Sequence, residues 1–309
     1  MQNLTTIGNV YNRVHDMSLR YSDSFVKARD ITFTSFEAIN IGSDSHPLRP
    51  AAQSSIANRL GIPAHYLRKC PADIQALNLN HWITKEQNEE LFFRFDGEDV
   101  RAIFTPRYIP TDNIEVLEEL VGLDYDPATP VHCSLDGEFM CLSIPDGKKT
   151  FEITPGDRMT PGVTVSNSEV GLASLSIAAF VLRLKCTNGM IAKTEISASY
   201  RHISHKILSE FPQVLDNVSY ELGKQKDQFR LSIESKVDSP EASIASFNRT
   251  FQLRKEEIEA VEWALPLEYG HTMFNVVNIY TKAAQFDGLS AESSFRLQKV
   301  GGQLLGMVK

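Results

Sequence analysis

The sequence predicts an α+β fold: a central, mostly antiparallel sheet built from hairpins, short helices before it and a helical C-terminal third. Three observations carry this. Short apolar/polar alternations are punctuated by Asp96-Gly97, Asp136-Gly137 and Asn188-Gly189, dipeptides that tolerate the positive φ of a hairpin turn. Between Ala51 and Gln87 the chain is helix-like, broken at Gly61 and Pro63 and restarted by Pro71. Beyond His202 the apolar spacing changes from two to three and four.

The elements follow in chain order. Residues 1–30 are polar and weakly patterned and read as an N-terminal arm. Residues 31–201 form a hairpin-rich α+β core. In Asp30–Gly42, Ile31, Phe33 and Ser35 alternate with Thr32, Thr34 and Phe36, as in one strand. The helical stretch after it turns Ile56, Leu60, Leu67, Ile74, Leu77 and Trp82 inward. "ELFFRF" and "VRAIFT" pair across Asp96-Gly97, which brings Arg94 near Arg101. Asn113–Leu123 is a short amphipathic helix, and strands fill Thr129 to Tyr200. In the last of these, Phe180, Leu182, Leu184 and Cys186 take a packed face. Val181, Arg183, Lys185 and Thr187 take the opposite face, expected to be wet, and Asn188 and Gly189 form the hairpin tip. Residues 202–309 are a helical region packing on the core, one domain overall. Ile203, Ile207, Leu208, Phe211, Val214, Leu215, Val218 and Leu222 mark a long helix, and Glu241–Trp263, Met273–Gln285 and Ser290–Leu305 mark three more.

Composition bounds the function. The net charge of −8, from 31 Lys+Arg against 39 Asp+Glu, argues against a coat of basic charge but leaves room for a local basic groove. Cys70, Cys133, Cys141 and Cys186 are scattered without a CxxC pair, as expected of reduced thiols in a cytoplasmic protein. The first residues lack a signal-like apolar core, and the uncharged apolar run from Leu172 to Leu182 is too short to span a membrane. No phosphate loop, dinucleotide fingerprint, nucleophile elbow or zinc-protease motif occurs, so no cofactor is expected. His202 and His205 share a helical face but have no evident third metal ligand, and His132 and Cys133 alternate across a strand and cannot form a dyad.

Two sets of residues carry chemistry. Asn167-Ser168-Glu169, with Asp157, reads either as a strand end bonded to local backbone or as a polar ligand contact, the alternative enzymatic site. The second set is cationic: Arg101, Arg107, Arg183, Lys185, Lys193 and Arg201, with Tyr108 and Tyr200 beside two of them. Cations interleaved with aromatics can hold a phosphate backbone and stack bases. Between Arg183 and Lys206, five cations and two histidines face only Glu195.

"RLGIPAHYLRKCPADIQALNLNHWI", "VRAIFTPRYIPTDN", "PGVTVSNSEVGLASLSIAAFVLRLKCTNGMI" and the C-terminal "FNVVNIYTKAAQFDGLSAESSFRLQKVGGQLL" resemble the phage/plasmid-like bacterial family catalogued as domain-of-unknown-function family 932, from about Arg49 to the end. The resemblance implies a protein of a mobile genetic element and transfers no reaction. A basic, hairpin-rich sheet followed by long helices is also the broad plan of single-strand-annealing recombinases, which need no nucleotide; that is analogy at the level of fold. The expectation is a non-enzymatic protein that binds single-stranded DNA in recombination or replication. The alternatives are an enzyme at the Asn167–Glu169 knot and an interaction protein acting on a host system. The many apolar positions of the C-terminal helices add the expectation of a homo-oligomer, a ring or filament.

Overall fold

The computed structural model describes residues 3–123, 125–183, 188–191, 198–200 and 225–308. The fold is α+β with antiparallel sheets and a helical C-terminal region. The expected long helix over 203–222 lies outside the described residues.

The largest sheet has eight strands. Its path runs β1 (Asn3–Thr6), β8 (Pro130–Leu135), β9 (Met140–Pro145), β11 (Asp157–Asn167), β12 (Leu175–Arg183) and β13 (Asn188–Ile191). In addition, β10 (Phe151–Thr154) pairs with β11, and β14 (Ala198–Tyr200) pairs with β12. Helices α1 (Ile7–Ser18) and α5 (Asn113–Gly122) cover one face. Their Ile7, Val10, Val14, Val116, Leu117 and Leu120 meet the alternate residues Val131 and Cys133, Leu142 and Ile144, Val163 and Val165, and Ile177 and Ala179.

The first thirty residues are therefore not an arm. Ile7, Val10 and Val14, spaced at three and four, are a short helical stripe with Thr6 as its cap. β2 (Tyr21–Lys27) pairs with β6 (Glu90–Asp96), which pairs with β7 (Asp99–Phe104) in the expected hairpin. Asp30–Gly42 is a hairpin rather than one strand: β3 (Ile31–Phe33) pairs with β4 (Ala38–Ile41), and β5 (Asp44–Pro47) completes a third sheet. These two small sheets share a core with α2 (Pro50–Arg59), α3 (Ala64–Leu67) and α4 (Ala72–Ile83).

Within this unit Ile56, Leu60 and Leu67 are buried as expected, but Leu77 and Trp82 are exposed. Polar side chains dock α4 instead. Asn80 accepts from the Phe33 backbone N–H (2.8 Å) and donates to its carbonyl (2.9 Å), mimicking a neighbouring strand. Gln75 accepts from the Phe36 N–H (2.9 Å), and Leu79 and Ile83 fill the gap beneath.

The C-terminal region contains α6 (Gln225–Glu234), α7 (Pro240–Thr250), α8 (Lys255–Ala264), α9 (Met273–Ala283) and α10 (Ala291–Leu305). The single helix expected over Glu241–Trp263 is two, with a break at Gln252, whose φ is 51°. Ala291 and Phe295 of α10 pack with Cys141, Ala178, Phe180 and Leu182 on the second face of the large sheet. Met159 and Val181, on the first face, join the core of the helical region. Both faces of β12 are consequently buried, and the expected wet face does not exist there.

The same core absorbs most of the apolar positions advanced for an interface, among them Val276, Val277, Ile279, Leu297, Leu304 and Leu305; Trp263 remains exposed. No helix among the described residues is long and apolar enough to cross a membrane.

Candidate functional site

The polar residues singled out in the sequence fall at opposite ends of β11. Asp157 begins that strand and Asn167 ends it, separated by about 33 Å at the usual strand rise. The four residues of the polar alternative thus do not converge.

Past the end of β11, a network joins the large sheet to the N-terminal unit. Arg94, on β6, lies directly opposite Asp23 on β2 and donates to it (3.0 Å). It also donates to Asp112 (3.0 Å), the N-cap of α5, and to the Glu169 carbonyl (3.3 Å). Burial pulls the Arg94 pKa down, but the Asp112 and Asp23 carboxylates raise it more, so the guanidinium stays charged.

Arg101 arrives by a bulge. Phe95 pairs with Val100 and Arg94 with Ala102, so Arg101 is the extra residue, and its side chain is turned towards the same partner as that of Arg94. Its Nη1 donates to Glu169 Oε2 (2.5 Å), and the guanidinium lies over the Tyr21 ring, 3.6 Å from the centroid. Glu169 Oε1 accepts from the Asn113 N–H (2.7 Å) at the first turn of α5, where a carboxylate meets the positive end of the helix. Tyr108 stacks on Phe104, with centroids 3.8 Å apart and planes within 4°, and burial raises its phenol pKa.

The neighbouring residues are locked in the same way. Asn167 donates to the Thr111 carbonyl and to Asn113 Oδ1, both at 2.9 Å. Ser168 donates to the Glu138 carbonyl (2.8 Å) and accepts from the Leu172 N–H (3.1 Å). Asn167 and Ser168 are 0 % exposed and Glu169 5 %. Gly171, at φ +84°, seals the loop: a Cβ there would stand 2.7 Å from Phe104. The knot is buried and bonded to neighbouring segments, as a structural clamp is.

At the other end of β11, Arg183 is buried as well, contrary to its expected place on a wet face. It grips Asp157 with Nε (2.9 Å to Oδ1) and Nη2 (2.7 Å to Oδ2), and donates from Nη1 to Glu268 (3.1 Å). Its guanidinium lies 4.9 Å from the Phe274 ring centroid. The alternation of Arg183 with apolar neighbours is real, but the helical region supplies a carboxylate to that face. Arg101 and Arg183 are therefore internal counter-ions at separate places, not members of one positive stripe.

Of the remaining cationic set, Arg107 is exposed. Lys185, Lys193 and Arg201, with His202 and His205, lie outside the described residues, and Tyr200 is described only as the end of β14. β13 pairs antiparallel with β12, but Asn188 is opposite Arg183 and Gly189 opposite Leu182, so these residues lie in the strand rather than at its tip.

Cys133 is buried, and burial drives its thiol up to about 12, which removes it as a nucleophile. No group of three His, Cys, Asp or Glu among the described residues is arranged to hold a metal ion.

Sequence reasoning missed Tyr21, Asp23, Asp112 and Glu268 as partners of the arginines. Asp112, three residues before Glu115 and directly before the apolar run of α5, is legible as a capping box. The others have no local signal, because their partners are distant in sequence. Compared with protein-family models, with curated proteins and with solved structures, the chain matches none.

Proposed function

We propose that this chain binds single-stranded nucleic acid through one edge of its large sheet, without a nucleotide cofactor and without catalysis. It would act in the cytoplasm, in the recombination or replication of a mobile element, as the family resemblance implies.

The observation that carries the reading is the course of the chain along β12. On the side of β12 away from β11, β13 pairs opposite Phe180–Arg183 and β14 opposite Leu175–Ile177. In sequence, Lys185 precedes β13, Lys193 follows it, and Arg201 and Lys206 follow β14, against Glu195 alone. The edge from Arg183 to Leu175 spans about 26 Å, enough to follow several nucleotides. Tyr200 pairs with Leu175 next to the Ser166–Ser176 pair, so β14 reaches the end of the sheet at which the Tyr108 hydroxyl meets the Glu169 carbonyl (3.5 Å), with Arg107 next to it in sequence. Arg101 and Arg183 drop out of the binding set because their charges are met within the fold. The enzymatic alternative loses its basis in the same way, since its residues are buried and apart.

Fluorescence anisotropy of a labelled single-stranded oligonucleotide tests the reading. Binding at low salt is expected, and Lys185→Ala/Lys193→Ala/Arg201→Ala should weaken it strongly while the circular dichroism spectrum is kept. Absence of binding at low salt, or full affinity in the triple variant, contradicts it.

A further inference from the structure

Helix α4 carries apolar residues on its outer side as well as the buried Leu79 and Ile83. Its docked side holds Gln75 and Asn80 against the β3–β4 hairpin, while its outer side carries Leu77, 66 % exposed, and Trp82, 42 % exposed. Asn78 and Trp82, four apart, share that outer side. Tyr66, 44 % exposed, is on the preceding α3, whose last turn is tied to α4 by Gln75 Nε2, which donates to the Leu67 and Cys70 carbonyls (both 3.0 Å).

Three exposed cations lie on the same segments: Lys85, with its ammonium 3.7 Å from the Trp82 ring centroid, and Arg68 and Lys69 just after Tyr66, the guanidinium of Arg68 lying 5.6 Å from the Phe36 ring centroid. Residues 64–86 contain only two carboxylates, Asp73 and Glu86, and Glu86 is paired with Arg59 (2.7 Å). In a chain of net charge −8 this is a locally positive segment that carries two exposed aromatic rings.

We propose that this face is a second contact surface for single-stranded nucleic acid, in which Trp82 and Tyr66 stack bases and Arg68, Lys69 and Lys85 meet phosphates. The inference rests on the reading of the chain as a single-strand binder and adds a surface to it. Three properties favour this occupant. Aromatic faces accept any base and cations accept any phosphate, so the chemistry suits a strand of unspecified sequence. The rings are carried on helices held by side-chain to backbone hydrogen bonds, so little ordering is needed when a strand docks. A second copy of the chain fits poorly, because a two-fold contact sets the same positive patch against itself.

The chain has two tryptophans, Trp82 and Trp263. Trp263→Phe therefore leaves Trp82 as the sole indole reporter. Titration of that variant with single-stranded oligothymidylate should quench its emission in step with the anisotropy of a labelled strand. Trp82→Ala should weaken binding about tenfold, and Trp82→Tyr should restore most of it. If the strand binds but the emission and the affinity of Trp82→Ala are unchanged, this surface is excluded while the sheet-edge reading stands. If no strand binds at low salt, both fail. If Trp82→Ala lowers the molar mass seen by light scattering and leaves oligonucleotide affinity intact, the face is a self-association surface and the proposal is overturned.

Discussion

Arg183 shows how a single residue can be read correctly for its period and wrongly for its role. The alternation along β12 is genuine, yet its guanidinium lies in a bidentate contact with Asp157 and reaches Glu268 from the helical region. A buried ion pair contributes modestly when whole, but losing one partner strands the other charge in a poor solvent. Arg183→Met should therefore lower the unfolding free energy by about 3–5 kcal/mol, measured by urea denaturation. A variant as stable as wild type would show that Arg183 is solvated. Arg101 belongs to the same class, and its role was hidden for a similar reason: Glu169 is remote in sequence, and the bulge that aims Arg101 at it leaves no mark in the residue pattern.

His132 gives a pH-dependent counterpart. Burial holds its imidazole below the ordinary value of 6.5, so the folded chain resists the proton that the unfolded chain accepts. Above 6.5 both states are neutral and the residue has no effect. As pH falls through 6.5 towards the lower folded pKa, stability is lost at up to about 1.4 kcal/mol per pH unit. His132→Gln should lose less stability between about pH 7.5 and 5.5 than the wild type in the same urea titration. Equal losses would show that His132 titrates normally.

At the scale of elements, strands announced by turn dipeptides were legible, as in β6–β7 and β8–β9. The errors arose where period is ambiguous. Asp30–Gly42 alternates throughout, but Ser35 and Phe36 form a bend that folds it into two strands. The apolar pattern of α4 does not mark its inner side, because Asn80 satisfies the backbone of β3 there and Gln75 that of the bend after it. The first thirty residues were dismissed because the stripe on α1 is short and set among polar residues.

Strand β11 explains a further oddity, a Pro-Gly pair inside a central strand. Pro161 accepts from the Asp146 N–H (2.7 Å) on the side where its own missing N–H would point; β9 ends there at Pro145, and the Asp146 carbonyl accepts from the Lys149 N–H (3.1 Å) instead, so no acceptor is left unpaired. Next to it, a Cβ on Gly162 would lie 2.1 Å from the Ile144 carbonyl oxygen and 2.8 Å from Pro145 Cα. Backbone must move to admit it. Gly162→Ala is expected to cost about 1–3 kcal/mol, with a lower melting temperature as the readout. An unchanged melting temperature would contradict the close approach of β9 and β11.

For the whole molecule, the arrangement separates two kinds of positive charge. One kind is spent inside: Arg94, Arg101 and Arg183 tie the large sheet to the N-terminal unit and to the helical region through Asp23, Asp112, Glu169, Asp157 and Glu268. The other kind is exposed, as Lys85 is over the Trp82 ring on α4 and as Arg107 is. The sequence pattern shows where cations are dense but not which of them find carboxylates, since that depends on contacts between distant segments. Assembly into a homo-oligomer keeps only the argument that a long strand rewards linked sites, because the helical region buries most of the apolar surface once assigned to an interface.

The central claim is that the cations flanking β13 and β14, rather than the buried arginines, neutralise a bound strand. The salt dependence of oligonucleotide affinity tests it most directly, because the log–log slope counts the phosphates neutralised, at roughly 0.7 per contact on a single strand. The account predicts a steep negative slope for the wild type and one shallower by about 2 for Lys185→Ala/Lys193→Ala/Arg201→Ala. A slope near zero in the wild type, or an unchanged slope in the triple variant, would contradict it.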